Sequence, residues 1–358
     1  MKVMTVVGTR PEIIKLSRVI PELDKHFDHV LVHLGQNWDY ELGGIFFEQM
    51  GIRKPNEWHP HIAPSVGELL QAAESSLDFH KSDAVLILGD TNSGVAAAYA
   101  AKRRHIPLFH MEAGNRCFDD RVPEETNRKI IDHISDINMP YTEHARRNLL
   151  AEGLPADRVI KTGSPMMEVL HHYKRGIQSS QVLEFFSLDY KEYYVVSAHR
   201  EENVDDPPRL EALVETINSL PGPVVFSVHP RTRDRLASAF TFAPTVQLIK
   251  PLGFFDYCQL QKHAKCVISD SGTLTEEAAI LGFPGVMIRQ AHERPEGMDE
   301  GVVVMADLAP ASVMAAVNAV TTAKPGFPPD YGTIDVARKV VWAILSYTDY
   351  VQRAVYGR

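Results

Sequence analysis

Asp90, Glu112 and Glu124 are the residues of this sequence best suited to moving protons. Each is expected to follow a strand or a turn, where a side chain reaches a cleft. Carboxylates held close together push one another's pKa apart, which separates an acid from a base. Arg10, Lys15 and Arg128 would balance their charge. A lone Asp at a strand end is more often a cap or an ion-pair partner, so convergence decides between the two readings. Of the sixteen histidines, His199 and His229 stand out by position, each directly after an expected strand. The others read as surface residues or satisfied partners. No HExxH or comparable ligand spacing occurs, so no catalytic metal is expected.

Two turns have the makings of anion sites. Gly8-Thr9-Arg10-Pro11-Glu12 opens one helix, and Ser271-Gly272 precede another over 275–279. Free N–H groups at helix N-termini bind anions. The plainer alternative for the second turn is an ordinary N-cap, Asp270 or Ser271. Glu277, just inside that helix, could accept both hydroxyls of a ribose, or simply face solvent. The Phe254-Phe255-Asp256-Tyr257 stretch could stack a base, or pack under a loop. GxGxxG is absent after the first strand and GxxxxGK[ST] is absent throughout. A dinucleotide site and a P-loop are therefore disfavoured.

The elements that must position these residues are short and mostly apolar. Strands are expected at 3–7, 30–32, 84–88, 107–111 and 159–160, then at 194–197, 224–228, 246–249, 266–269, 285–288 and 302–305. Continuous apolar runs of this kind fit parallel strands covered on both faces. Helical patterns alternate with them. Pro11 suits a first helical turn. Ile13, Leu16, Ile20 and Leu23 then mark one buried helix face. The class expected is α/β, with two Rossmann-like doubly wound domains facing across a cleft. A seam is expected over 161–173. The divisions are 1–165, carrying the carboxylates, 166–340, and a C-terminal helix over 341–358 that packs back on the first domain. Open α/β sheets bind ligands beyond the carboxyl ends of their strands. The polar residues gather in those loops, in both halves of the chain.

Composition narrows the function classes. The chain has 358 residues, 44% hydrophobic and 23% charged, which is an ordinary globular mix. Lys and Arg number 37 against 46 acidic residues, a net charge of −9, and no long basic run supplies a nucleic-acid face. No stretch of about 18 apolar residues offers a membrane span. Met1–Val7 run directly into Gly8-Thr9-Arg10 without an h-region and cleavage site, so no secretory signal is expected. The three cysteines, Cys117, Cys258 and Cys266, form no CxxC pair. A reducing cytoplasm is the expected setting.

The motifs are VVGTRPEIIK (6–15), GQNWDYEL (35–42), LGDTNS (88–93) and FHMEAGNRCFDDRVPEETNRKIIDHISDINMPY (109–141). They continue with KTGSPM (161–166), SAHREENVD (197–205), HPRTR (229–233), KPLGFFDY (250–257), SDSGTLTEE (269–277) and HERPEGMDEG (292–301). This set resembles the UDP-N-acetylglucosamine 2-epimerase family nearly end to end. It is most similar to the branch that makes UDP-N-acetyl-L-fucosamine from UDP-2-acetamido-2,6-dideoxy-L-talose. The resemblance implies a fold of the GT-B glycosyltransferase type with UDP bound between its domains. It implies catalytic roles for Asp90, Glu112, Glu124 and His199, with Arg10, Lys15 and Arg128 lining the same cleft. Ser271, Gly272 and Glu277 take the places that hold diphosphate and ribose. His229 and Arg231 lie near the diphosphate, and Tyr257 falls at the uracil-side aromatic.

Three segments depart from the N-acetylglucosamine enzymes and look like the L-fucosamine branch. Gln36-Asn37-Trp38-Asp39-Tyr40 replaces a segment tied to activation by substrate. Ala198-His199-Arg200-Glu201-Glu202-Asn203 differs around the histidine. Thr273 stands where a second glycine is usual. The implied activity is inversion at C2 by loss and re-addition of UDP, supplying precursors of surface polysaccharide such as O-antigen or capsule. No cofactor is needed, and the partners expected are the UDP-sugar and a second copy in a homodimer, with neither nucleic acid nor membrane. A UDP-N-acetylglucosamine 2-epimerase is the alternative substrate reading. A GT-B glycosyltransferase would share the fold but need an acceptor pocket in place of the Glu112/Glu124 pair.

Overall fold

The computed structural model describes residues 1–36, 43–59, 65–236 and 240–358, with the side chains of Pro230, Arg231 and Asp234 outside that description. Of the segment 36–40, only Gln36 falls among the described residues. Arg231 is described in its backbone alone.

The chain forms two units, Met1–His172 with Asp330–Arg358, and Tyr173–Pro329. The first carries a parallel six-stranded sheet of β1 (Lys2–Val7), β2 (Asp28–His33), β3 (Glu57–Trp58), β4 (Ala84–Leu88), β5 (Leu108–Met111) and β6 (Ile137–Met139), ordered β3-β2-β1-β4-β5-β6. The second carries β7 (Tyr194–Ser197), β8 (Val224–Ser227), β9 (Val246–Ile249), β10 (Cys266–Ser269), β11 (Gly285–Met287) and β12 (Val303–Met305). Their order is β9-β8-β7-β10-β11-β12, the same doubly wound arrangement. The expected α/β class is what the chain adopts. Every residue of β4 and of β10 is buried, which is why β4 reads as an unbroken apolar run and β10 as one up to Ser269. The edge strand β9 is largely uncovered.

Three local differences from the sequence reading have physical causes. Strands β3 and β6 were not expected; β3 is two residues long, and β6 is three residues centred on the polar Asn138. The stretch 159–160 contributes one isolated bridge, Asn138 with Val159. Thr162 N donates to Pro140 O at 3.1 Å, but Pro140 has no N–H to extend the ladder. The buried face of Ile13, Leu16, Ile20 and Leu23 is shared by two helices, Arg10–Leu16 and Val19–His26. Pro21 explains the break, because its ring clashes with the carbonyl four residues back, at Ser17. All four apolar residues are still fully buried.

The first unit's core joins Met4, Val6, Val30 and Val32 with Leu69 and Leu77 of the helix Val66–His80. Its C-terminal helix, Val336–Ala354, packs on Val19–His26. Ala337 N donates to Glu168 Oε2 at 3.0 Å, which ties that helix to the first turn of Met166–His172. The second core joins Tyr194, Val196, Phe226 and Ile268 with Leu213 and Ile217 of the helix Pro207–Ser219. Among the described residues no helix is long and apolar enough to cross a membrane.

Candidate functional site

In a doubly wound sheet the loops after the two central strands diverge and leave a crevice where strand order reverses. In the first unit those strands are β1 and β4. The turn after β1 enters the helix Arg10–Leu16 through a capping box between Thr9 and Glu12. Gly8 is needed there for space, since a β-carbon on it would lie 2.2 Å from Ser93 Oγ. Glu12 is fully buried and accepts from Gly8 N (2.9 Å), Thr9 N (2.6 Å), Thr9 Oγ1 (2.7 Å) and Thr91 Oγ1 (3.1 Å). Burial pushes its carboxyl up to about 7, against the pull of those bonds. The Arg10 guanidinium carbon lies 5.9 Å from the centre of the Phe46 ring.

Lys15, one turn further along, is buried and donates to Glu112 Oε2 at 2.5 Å. Glu112 follows β5 with φ +65°, a left-handed conformation that costs a residue with a side chain about 1–2 kcal/mol. Strain of this kind gathers at functional sites. It brings Glu112 Oε2 to 4.0 Å from where a β-carbon on Gly89 would sit, beside Asp90. Asp90 in turn accepts from Arg128 Nε at 2.8 Å. Arg128 and Glu124 lie four residues apart on the helix Pro123–Ile134 and so share a face. The structure thus gathers Lys15 with Glu112 and Arg128 with Asp90, and sets Glu124 one turn from Arg128.

Buried charges hold these loops from beneath. His110 bonds Asp132 Oδ1 at 2.9 Å through Nδ1 and Gly89 O at 2.8 Å through Nε2. Asp132 also accepts from Gly114 N at 3.0 Å and Arg116 Nη1 at 2.7 Å. Glu125 accepts from Cys117 N, Phe118 N and Arg128 Nη1 at 3.0, 3.2 and 2.9 Å. None of Glu12, His110, Glu125 and Asp132 stood out in the sequence. One signal was present: Thr9-x-x-Glu12 is a capping-box spacing. Another was the seven-residue interval from Glu125 to Asp132, two turns on one helix face.

In the second unit the reversal lies between β7 and β10. Asp270, after β10, is fully buried and accepts from His199 N (3.0 Å), Arg200 N (2.9 Å) and Asn203 Nδ2 (3.1 Å). His199 Nδ1 lies 3.2 Å from Asp270 Oδ1, and the His199 and His229 rings are 5.5 Å apart. Burial opposes ionisation, but the charge of His199 and the bonds from His199, Arg200 and Asn203 outweigh it. They hold the Asp270 carboxyl at about 2, below its ordinary 3.8. The helix that follows runs Leu274–Leu281, with Thr273 and neither Asp270 nor Ser271 as its N-cap. Ser271 Oγ instead bonds Thr273 Oγ1 at 3.0 Å.

Gly272 is braced from behind. A β-carbon there would lie 2.4 Å from Glu293 Oε1, and its carbonyl accepts from Arg294 Nε at 2.9 Å. Arg289 pairs with Glu293 at 2.9 Å and Arg294 with Glu276 at 2.8 Å. Glu277 Oε2 accepts from Gln261 Nε2 at 2.7 Å. Gln261 lies four residues beyond Tyr257 on the helix Phe254–His263, so Tyr257 and the partner of Glu277 share a face. Phe254 and Phe255 pack against Tyr173 at 6.2 and 5.6 Å, the packing role.

This geometry makes a stability prediction. A carboxyl lowered by folding stabilises above its unfolded pKa and loses that contribution as pH falls through its folded one. For Asp270 the contribution is about 2 kcal/mol, present above about pH 4 and lost toward pH 2. Urea unfolding of Asp270→Asn between about pH 2 and 5 should therefore show a flatter acid limb than the parent. Identical limbs would refute the assignment.

Comparison with known proteins follows the same lines. A family model described as UDP-N-acetylglucosamine 2-epimerase matches residues 21–345. A solved structure of a UDP-N-acetylglucosamine 2-epimerase from Rickettsia bellii is 46% identical, covers 100% of both chains and superposes with a TM-score of 0.92. The UDP-GlcNAc 2-epimerase of Methanocaldococcus jannaschii, solved with UDP-GlcNAc and UDP, is 32% identical over 97% of this chain and 100% of its own, with a TM-score of 0.89. A Pseudomonas aeruginosa relative, named UDP-2,3-diacetamido-2,3-dideoxy-D-glucuronate 2-epimerase, is 34% identical over 85% of this chain and 88% of its own.

Proposed function

The chain belongs to the UDP-N-acetylglucosamine 2-epimerase family, and from that premise we propose that it is a non-hydrolysing isomerase inverting C2 of a UDP-linked 2-acetamido sugar. The observation that carries the reading is the pair of cation-bound carboxylates, Lys15 with Glu112 and Arg128 with Asp90, at neighbouring strand ends of one sheet. The C2 hydrogen of such a sugar is not next to a carbonyl and is not acidic. Loss of UDP from C1 as the C2 proton leaves avoids a free carbanion. The C1–O bond breaks, its electron pair departs on the diphosphate, and a C1=C2 bond forms in a 2-acetamidoglycal. Protonation of C2 from the other face and return of the diphosphate oxygen to C1 complete the inversion.

That path needs a base, an acid on the opposite face and stabilisation of the departing diphosphate. Asp90, Glu112, Glu124 and His199 serve the proton transfers, with His199 oriented by Asp270. Arg10, Lys15 and Arg128 balance the charge. Ser271 and Gly272 at a helix N-terminus, with His229 and Arg231, hold the diphosphate. Glu277 accepts from the ribose, and Tyr257 lies at the uracil.

For the sugar we propose UDP-2-acetamido-2,6-dideoxy-L-talose, converted to UDP-N-acetyl-L-fucosamine for surface polysaccharide synthesis by a cytoplasmic homodimer. The residues around His199 and the Thr273 in place of glycine support this. UDP-N-acetylglucosamine is the second reading, supported by the names of the R. bellii and M. jannaschii relatives. The P. aeruginosa relative, at 34% identity, is named for a third sugar. Proton NMR of the products formed from the first two substrates tests both. Turnover of the talose substrate well above that of UDP-N-acetylglucosamine is expected. The reverse preference moves the assignment to the second reading, and no epimerisation of either refutes both.

A further inference from the structure

Each unit places a fully buried carboxylate at the reversal point of its sheet, and each carboxylate ties together the two loops that meet there. In the second unit it is Asp270, which follows β10 and accepts from the backbone of His199 and Arg200 after β7. In the first it is Glu12. Its Oε2 accepts from Gly8 and Thr9 after β1, and its Oε1 accepts from Thr91, the residue after Asp90. Resting on the proposed epimerase reading, we propose that Glu12 is a positioning residue for the reaction, fixing the Arg10 turn and the Asp90 turn against each other.

Three features support a role beyond capping. A capping box needs only the bonds around Thr9. The second oxygen of Glu12 leaves that turn and reaches a loop 79 positions away in sequence. In its ionised form the Glu12 carboxylate is acceptor-only, with roughly four lone-pair sites, and the groups facing it supply four hydrogens. A glutamine would turn an N–H₂ toward donors and lose one side of the latch. Among the described residues Glu12 has no ion-pair partner, so its burial is sustained by these hydrogen bonds. The loops also abut at Gly8 and Ser93, so a rotation of one turn is transmitted to the other. Thr91 completes the device: its hydroxyl donates to Glu12 and accepts from Gly94 N at 3.0 Å, capping the helix Asn92–Arg103.

The test uses the full chain and the UDP-sugar that the parent enzyme epimerises. Glu12→Gln is expected to lower kcat by about 10- to 100-fold, the scale for a reacting group displaced by about 1 Å. KM and UDP affinity should hold, because the residues assigned to the nucleotide belong to the second unit. Thr91→Val cuts the bond between the loops and should lower kcat in the same direction, whereas Thr91→Ser, which keeps the hydroxyl, should restore it. If Glu12→Gln does not fold, the Thr91 pair decides alone. Parental kcat in folded Glu12→Gln overturns the proposal. So does equal kcat in Thr91→Val and Thr91→Ser, or a kcat loss matched by loss of UDP affinity. An inactive parent sinks the epimerase reading and this role with it; an active parent with an indifferent Glu12 sinks this role alone.

Discussion

Asp90→Asn, Glu112→Gln and Glu124→Gln should each lower turnover by about 10²- to 10⁴-fold, the range for loss of a proton-transfer group. Each substitution keeps the side chain's size and removes its capacity to exchange a proton. UDP affinity, measured by calorimetry, should change little, since Ser271, Gly272 and Glu277 are untouched. The three variants differ in their structural cost. Glu112→Gln breaks the buried ion pair with Lys15, and breaking such a pair costs about 3–5 kcal/mol. Its melting temperature should therefore fall furthest. Asp90→Asn keeps a hydrogen-bond acceptor for Arg128, whose bond to Glu125 also stands. Glu124 lies half-buried in the first helical turn, so its variant should be the most stable. Near-parental turnover in all three folded variants would remove the proton-transfer assignment.

What the sequence made legible, and what it hid, follows from the range of the interactions involved. Strands buried on both faces, such as Ala84–Leu88, announce themselves as apolar runs. Glu57–Trp58 and Ile137–Met139 owe their pairing to neighbours already in place, and their own residues carry no pattern. The strand-end loops were readable because topology alone sends ligands there. The strain at Glu112 was not. Glycine is the usual mark of a positive φ, and here the glycine is two residues on, at Gly114. Glu12 and Asp270 were hidden for a further reason. Each reads as a capping residue in its own turn; Glu12 adds a bond to Thr91, and Asp270 spends its carboxylate on the loop after β7, both far away in sequence.

Deuterium and oxygen labels test the path of the proposed reaction. If UDP leaves before C2 is reprotonated, the new C2 hydrogen comes from an enzyme acid that exchanges with solvent. Product formed in D2O should then carry deuterium at C2, and substrate recovered before equilibrium should acquire it through reversal. The C1–O bond breaks on the same path. Within the freed diphosphate the labelled bridging oxygen becomes a terminal oxygen of the β-phosphoryl group, which can rotate before UDP returns. An 18O label placed at the anomeric bridge should therefore scramble into non-bridging positions. Oxidation at C3, which would acidify C2 through a neighbouring carbonyl, predicts exchange at C2 with the bridge intact. The two labels together separate the paths. The carboxylate variants refine the result. A variant that still performs elimination but reprotonates slowly should release free glycal and UDP, detectable by NMR, while its epimerised product falls. Exchange at C2 with no movement of the bridging label would refute elimination, and the roles of Asp90, Glu112 and Glu124 would have to be rebuilt around a different intermediate.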